Sequence, residues 1–282
     1  MQNQFNRLQD AVSAYWYDED TYVKSLARSH TLRRDLLKEL IPVLNLPAGS
    51  SGVDMGCGIG LATSIMSICR PDLTITGVDV SDKFIRISQK ISNDLTGTGQ
   101  IRFQQGSALD CGLGDGAADW LFSMDCVGFS PGLGRQAIDE ARRVLAGNGQ
   151  VILAAWSSQM ILPGYPMLEA RLNASKQGIA PFEETADPSD HFMRIRQVLS
   201  QAGFSQIRTR TVVQDITGPL DKPMRLAMQD LIRMRWPRNP DHLLRDDQDL
   251  FQELIDDTSS RYILNDPYYQ GFFTYTVVTA RK

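Results

Sequence analysis

Between Ser51 and Gln214 short apolar runs alternate with segments whose apolar residues recur every three or four positions, and the two periods take turns along the chain. The runs Ser51 to Met55, Leu73 to Val78, Ile101 to Gln105, Asp119 to Ser123, Gln150 to Trp156 and Phe204 to Gln214 read as strands. Phe272 to Ala280, rich in Thr, Val and aromatic residues, reads as a seventh. Helical spacing marks Leu61 to Cys69, Asp82 to about Leu95, Gln136 to Leu145 and His191 to Ala202. Local chemistry supplies the punctuation. Pro71 separates the first helix from the second strand, Ser81 is an N-cap, Gly147-Asn148-Gly149 precedes the fifth strand, and Gly203 ends the last of these helices. This order predicts an α/β fold. Its sheet is mostly parallel and covered on both faces, with right-handed crossovers and any ligand at the carboxyl ends of the strands.

Two segments stand outside the alternation. In the N-terminal part, Leu32, Leu36, Leu37, Leu40 and Ile41 mark an amphipathic helix. The other segment, Thr217 to Tyr269, is inserted between the last two strands, with helical signals at Met224 to Met234 and Asp247 to Ile255. A chain that leaves one strand and re-enters its neighbour must cross an end of the sheet, so this segment is expected to form a helical lid. Its stripe of Met224, Met228, Leu231 and Met234 is expected to face inward, and Lys222, Arg225, Arg233, Arg235 and Arg238 to form a solvated face. The predicted organisation is one domain over 1–282: a helical cap at 1–44, a core at 45–216 and 270–282, and the lid at 217–269.

Composition narrows the function. With 42% hydrophobic and 22% charged residues among 282, the chain has the balance of an ordered globular protein. A net charge of -4 gives no general attraction to phosphate backbones, which argues against nucleic acid as a partner. Cys57, Cys69, Cys111 and Cys126 lack C-x-x-C spacing and read as reduced thiols, with no metal site implied. No apolar run approaches the roughly 20 residues that cross a bilayer, so no transmembrane segment and a cytoplasmic location are expected.

The most informative stretch is Val53-Asp54-Met55-Gly56-Cys57-Gly58-Ile59-Gly60, which follows a strand and opens a helix. Glycines there let the backbone turn sharply and a ligand approach closely. Further on, Asp79 ends the second strand, where a carboxylate can accept both hydroxyls of a ribose. Together they indicate an adenosine-type cofactor. A dinucleotide is the first rival, yet position 61 is leucine where that fingerprint has glycine. Asp54 would also repel a pyrophosphate, whereas it suits a ligand bearing an ammonium and a sulfonium.

The same stretch resembles motif I of class I S-adenosylmethionine-dependent methyltransferases. The resemblance continues through Gly106-Ser107-Ala108-Leu109, Gly114-Asp115-Gly116-Ala117-Ala118-Asp119 and Glu140 to Trp156. It spans roughly Gly49 to Trp156 and lies nearest the small-molecule branch that includes ubiquinone and menaquinone biosynthesis methyltransferases. What it implies is a Rossmann-like sheet of seven strands with an antiparallel last strand, and S-adenosyl-L-methionine as methyl donor with S-adenosyl-L-homocysteine as product. By position, Gly56, Gly58 and Gly60 would line the methionine portion, Asp79 the ribose, and Ser107 with Ala108 the adenine edge. Ser107 departs from the family's usual Asp. Ser123, Met124 and Asp125 would end the fourth strand beside the transferred methyl. The implied partner is a small apolar or aromatic methyl acceptor, with a homo-oligomer left open.

For a hydroxyl acceptor the general-base candidates are Asp125, His30, His191 and Tyr268. Tyr15, Trp16, Tyr17 and Tyr22 near one end, and Tyr268, Tyr269, Phe272 and Phe273 near the other, wall a pocket or pack the cap. Two other functions fit the glycine loop: an NAD(P)-dependent oxidoreductase, against which Asp54 and Leu61 count, and a non-catalytic S-adenosylmethionine-binding module. The Asn/Asp-Pro-Pro-aromatic loop of nucleic-acid amino methyltransferases is replaced by Ser123-Met124-Asp125-Cys126.

Overall fold

The computed structural model describes residues 1–95, 99–130, 132–174, 188, 191–238, 240 and 243–282. Seven strands are present among them: β1 (Ser51–Met55), β2 (Thr74–Asp79), β3 (Gln100–Gln105), β4 (Ala118–Met124), β5 (Leu145–Met160), β6 (Ser205–Thr217) and β7 (Gln270–Arg281). They form one sheet in the order β3-β2-β1-β4-β5-β7-β6. The first five pair in parallel, and β7 runs antiparallel to both β5 and β6. The order reverses between β1 and β4, so the carboxyl ends of these two strands flank the crevice where such sheets take ligands.

Helices α1 (Gln2–Ser13), α2 (Thr21–Leu40) and α3 (Leu61–Cys69) cover one face, and α5 (Arg135–Val144) and α7 (Ile195–Gln201) the other, with α4 (Asp82–Asn93) between β2 and β3. Alternation along β4 explains the two-sided core. Trp120 and Phe122 enter the cluster under α2 and α3, while Leu121 enters the one under α5 and α7. The Trp120 indole N–H donates to Ser50 Oγ at 3.0 Å, so its burial leaves no polar group unmet.

Several sequence expectations need correction at their edges. β5 starts directly at the end of α5, so Gly147-Asn148-Gly149 lies inside the strand instead of preceding it. The helix expected from His191 is a 3-10 turn at Phe192–Arg194 followed by α7. Helix α6 (Pro166–Asn173) was not evident, having no strong apolar period. It is fixed instead by Glu169, whose buried carboxylate accepts from the Ile161 and Leu162 amides at 3.0 and 2.9 Å.

Helices α8 (Lys222–Arg235) and α9 (Arg245–Ile255) lie between β6 and β7 in the chain. Helix α8 packs on α2, and the contact carries a buried ion pair: Arg28 Nη1 reaches both oxygens of Asp230 at 3.2 Å. The inward stripe of α8 stops at Leu231. Met228 and Leu231 are buried, whereas Met234 is 64% exposed. Nor is the basic set of α8 wholly solvated: Arg235 turns in over the Trp156 ring, 4.9 Å from its centroid. Among the described residues no helix is long and apolar enough to cross a membrane.

Candidate active site

The glycine loop is anchored from below. After β1 the amides of Gly56 and Cys57 both donate to the Val78 carbonyl, at 2.8 and 3.0 Å, which draws the loop across the end of β2. Gly60 has φ 76 and opens α3, and a Cβ there would meet the Ser88 Cβ at 2.6 Å and the Phe103 ring at 2.8 Å. Only glycine fits that position. Gly58, at φ 55, is different: a Cβ there would find only Leu26 of α2, at 3.9 Å. The loop therefore presents Gly58 to open space under α2, the kind of cradle a ligand backbone or methionine chain requires.

Two carboxylates hold this loop. Asp79 accepts from the Gly58 amide through Oδ2 and from the Ser81 amide through Oδ1, both at 2.9 Å. It thus ties the loop to the start of α4. Asp54 is only 1% exposed and accepts from Thr63 Oγ1 at 2.5 Å. Burial pushes its carboxyl up to about 7, and the charge of Asp79 adds to the effect while the Thr63 bonds oppose it. Asp54 therefore supports the loop from behind. At the end of β3, Ser107 Oγ accepts from the Leu109 amide at 3.1 Å and closes a tight turn, with Ala108 half-buried beside it.

The opposite wall is built around Asp125, just past β4. Asp125 is in the left-handed region at φ 54, its amide donating to the Ala154 carbonyl at 2.9 Å. Its Oδ1 accepts from the Trp156 amide at 3.0 Å, and its Oδ2 from the Tyr275 hydroxyl at 2.6 Å, with Arg33 Nη1 3.5 Å from the same oxygen. Trp156 stacks on Phe273, centroids 4.6 Å apart, and meets Tyr275 edge-on. Tyr22, Leu26, Ser29 and Arg33 follow helical spacing on α2 and form a half-open strip above the loop. Arg33 Nη2 donates to Ser29 Oγ at 3.0 Å, Tyr22 stacks on Phe84, and Arg33, Asp79 and Asp125 all lie within electrostatic reach of the Tyr22 hydroxyl. Loop, strip and Asp125 cluster thus gather at the carboxyl ends of β1 and β4.

Three residues singled out from the sequence, Ser123, His30 and His191, are not free to act there, and a fourth, Tyr268, stands in solvent. Ser123 is buried, its hydroxyl donating to the Met55 carbonyl at 2.7 Å and accepting from the Val127 amide at 3.0 Å, so it braces β1 against β4 and cannot reach a cofactor. His30 is buried in α2, and desolvation lowers its imidazole to about 3, with the Arg34 charge acting in the same sense. It is no base at neutral pH. His191 caps the 3-10 turn before α7 by accepting from the Met193 amide at Nδ1. Tyr268 is 89% exposed. Cys57 and Cys126 hold their protons, since burial raises the first thiol well above its ordinary value and the second to about 12.

Sequence reasoning missed Arg33, Trp156, Tyr275 and the inward turn of Arg235. The strip Tyr22, Leu26, Ser29, Arg33 carried a readable signal, the helical spacing of a polar-edged face beside the leucine face. Tyr275 carried none: it meets Trp156 only through the β5–β7 register.

Comparison with known proteins agrees with this architecture. The methyltransferase domain model of the Methyltransf_11 family matches residues 53–153. An O-methyltransferase of Pyrenophora dematioidea is 24% identical over 211 residues, covering 74% of each chain. The O-methyltransferase rstn1 of Aspergillus nomiae is 26% identical over 207 residues, covering 72% of this chain and 84% of the relative. Among solved structures, phosphoethanolamine N-methyltransferase 2 of Haemonchus contortus in complex with S-adenosyl-L-methionine superposes with a TM-score of 0.52 at 15% identity, covering 94% of this chain and 58% of that one. The YcgJ protein of Bacillus subtilis gives 0.53 at 18% identity, covering 87% and 97%. The two structures share the fold, and the methyl donor is S-adenosyl-L-methionine with S-adenosyl-L-homocysteine as product. With its glycine loop at the head of that matched domain and its sheet in this order, the chain is a class I S-adenosylmethionine-dependent methyltransferase.

Proposed function

We propose that this methyltransferase acts on an oxygen of a small aromatic or apolar metabolite, bound between the α2 strip and the Trp156–Tyr275 wall. The observation that carries the reading is the gathering of aromatic rings around Asp125: Trp156 stacked on Phe273, Tyr275 edge-on to it, and Tyr22 on Phe84 across the loop. Phe273 and Tyr275 are fully buried, so the faces open to a guest are those of Trp156 and Tyr22, and flat faces beside a polar centre favour a flat apolar guest. The O-methyltransferase names of two relatives that match about three quarters of this chain support oxygen as the atom methylated.

In this reading Gly56, Gly58 and Gly60 line the methionine portion of the donor, Asp79 accepts from its ribose, and Ser107 with Ala108 borders the adenine. Asp54 acts indirectly, by holding Thr63 and the loop. The donor supplies an electrophilic methyl group. The chain's contribution is to align the acceptor and exclude water, and pre-set geometry of this kind accounts for roughly 7–11 kcal/mol of barrier lowering in well-oriented reactions. The 217–269 segment serves as the lid: the Arg28–Asp230 pair clamps α8 to α2, and Arg235 brings the end of α8 to Trp156.

The test is methyl transfer from S-adenosyl-L-methionine to aromatic hydroxyls of graded acidity and to a matched amine, 1-naphthol, 4-hydroxybenzaldehyde and 1-naphthylamine first, read by mass spectrometry of the products. Methyl ethers should form. Methylation confined to the amines, or to a peptide or RNA while every aromatic hydroxyl stays unmodified, would overturn the reading.

A further inference from the structure

Among the described residues, the base candidates are poorly placed to take a proton. Asp125 accepts from the Trp156 amide and the Tyr275 hydroxyl and pairs with Arg33, so a proton taken there would break the ion pair and turn the Tyr275 hydroxyl away. The His30 ring is buried and neutral, His191 caps a turn, and Tyr268 stands in solvent. Tyr275 is itself a donor to Asp125, and burial keeps its phenol protonated. Two guanidiniums, Arg33 and Arg235, face the Asp125 carboxylate on this wall, with Asp79 at the loop opposite. Arg33 makes one hydrogen bond through Nη2, to Ser29, and stands 3.5 Å from Asp125 Oδ2, beyond good hydrogen-bond length for a charged pair. A guanidinium has five N–H donors, so most of those on Arg33 are left for another acceptor. Arg235, over Trp156, directs a second cationic field at the same Tyr275 and Asp125.

A wall that offers a guanidinium, and no ready base among its described residues, is suited to an acceptor that arrives already ionised. We infer that the methyl acceptor is an acidic oxygen, a carboxylate or an enol or phenol conjugated to a carbonyl, and that Arg33 binds it as the anion. This rests on the proposed aromatic oxygen acceptor and narrows it. A guanidinium on the attacking oxygen would blunt its nucleophilicity, so the fitting partner has two oxygens sharing one charge: one is held by Arg33 while the other attacks. The attacking oxygen uses a lone pair to form the bond to the methyl carbon, the carbon–sulfur bond breaks, and its electron pair stays on sulfur. No proton moves. An anion and a sulfonium become a neutral methyl ester or ether and a neutral thioether, which is why no general base is needed. Arg33 is in this account a binding and positioning residue, with Trp156 and Tyr275 fixing the plane beside it.

Calorimetry on the full chain saturated with S-adenosyl-L-homocysteine tests this with 2-naphthoate and its neutral counterpart 2-naphthamide. The expected result is at least tenfold tighter binding of naphthoate, with the preference abolished in Arg33→Gln and largely restored in Arg33→Lys. Affinity for S-adenosyl-L-homocysteine should stay within about threefold in both variants, which separates lost anion recognition from misfolding. Equal affinity for the two probes, or a preference that survives Arg33→Gln, would overturn the anion site and leave the aromatic-acceptor reading standing. Binding of neither probe would remove both.

Discussion

Asp54→Asn changes one buried proton-binding group and leaves its shape. In the wild-type fold the carboxyl is pushed from its ordinary value up to about 7, chiefly by burial. An acid whose folded pKa is raised holds its proton in the folded state at pH values where the unfolded chain has lost it. Its favourable contribution is therefore complete below about pH 4 and is lost as pH rises toward about 7, after which no more is lost. At 1.36 kcal/mol for each pH unit, the interval from pH 4.5 to 8.5 should cost the wild type about 3 kcal/mol. Asparagine can still accept from Thr63 and cannot ionise. Any penalty of its buried amide is independent of pH and drops out of the comparison. Urea unfolding of both proteins at pH 4.5, 6.0 and 8.5 gives the difference directly, other titrating groups being common to both. The variant should gain on the wild type across the series and no further above pH 8. A difference constant to within about 0.5 kcal/mol would refute the argument, because the carboxyl would then be solvated in the fold.

Gly60→Ala places a Cβ at positive φ against Ser88 and Phe103, and should cost about 1–3 kcal/mol in thermal or urea unfolding; an unchanged midpoint would mean that the loop re-forms differently. Asp79→Ala should weaken S-adenosyl-L-homocysteine binding by about 1.5–3 kcal/mol in calorimetry, and lower the melting temperature too, since the Gly58 and Ser81 amides lose their acceptor. Unchanged affinity would reduce Asp79 to a loop brace. Arg28→Ala leaves Asp230, 11% exposed, with the longer Arg233 pair at 3.6 Å, and should destabilise by about 1–3 kcal/mol while speeding amide exchange across α8. Exchange unchanged in α8 would show that the pair is not what holds this helix.

The sheet was legible because buried parallel strands are written as continuous apolar runs: β1 and β4 are buried along nearly their whole lengths, and their ends came out within a residue or two. The glycine loop was legible for a related reason: its glycines lie in one short stretch, and Asp79, which ends the next strand, binds it. Asp54, expected to face a cationic ligand, is instead buried behind the loop on Thr63, because the inward side of β1 is core. The acceptor side is assembled differently. Arg33 comes from α2, Asp125 from beyond β4, Trp156 from β5, Arg235 from α8 and Tyr275 from β7, and they meet only through strand register and helix packing. The β5–β7 ladder shifts register between Trp156 and Ser158, an irregularity that no side-chain pattern announces. Ser123 misled for the opposite reason: its place at a strand end suggested a ligand, while tertiary packing gave its hydroxyl two backbone partners. Tyr268 misled because two neighbouring tyrosines in one turn have opposite fates, Tyr269 fully buried and Tyr268 in solvent.

The most direct test of the site is a crystal structure of the chain with S-adenosyl-L-homocysteine. The ribose hydroxyls should meet the Asp79 carboxylate, the homocysteine should run over Gly56 to Gly60, and the sulfur should face the cleft holding Arg33, Asp125 and Tyr275. A nucleoside bound away from Asp79, or a sulfur turned away from Asp125, would contradict the account.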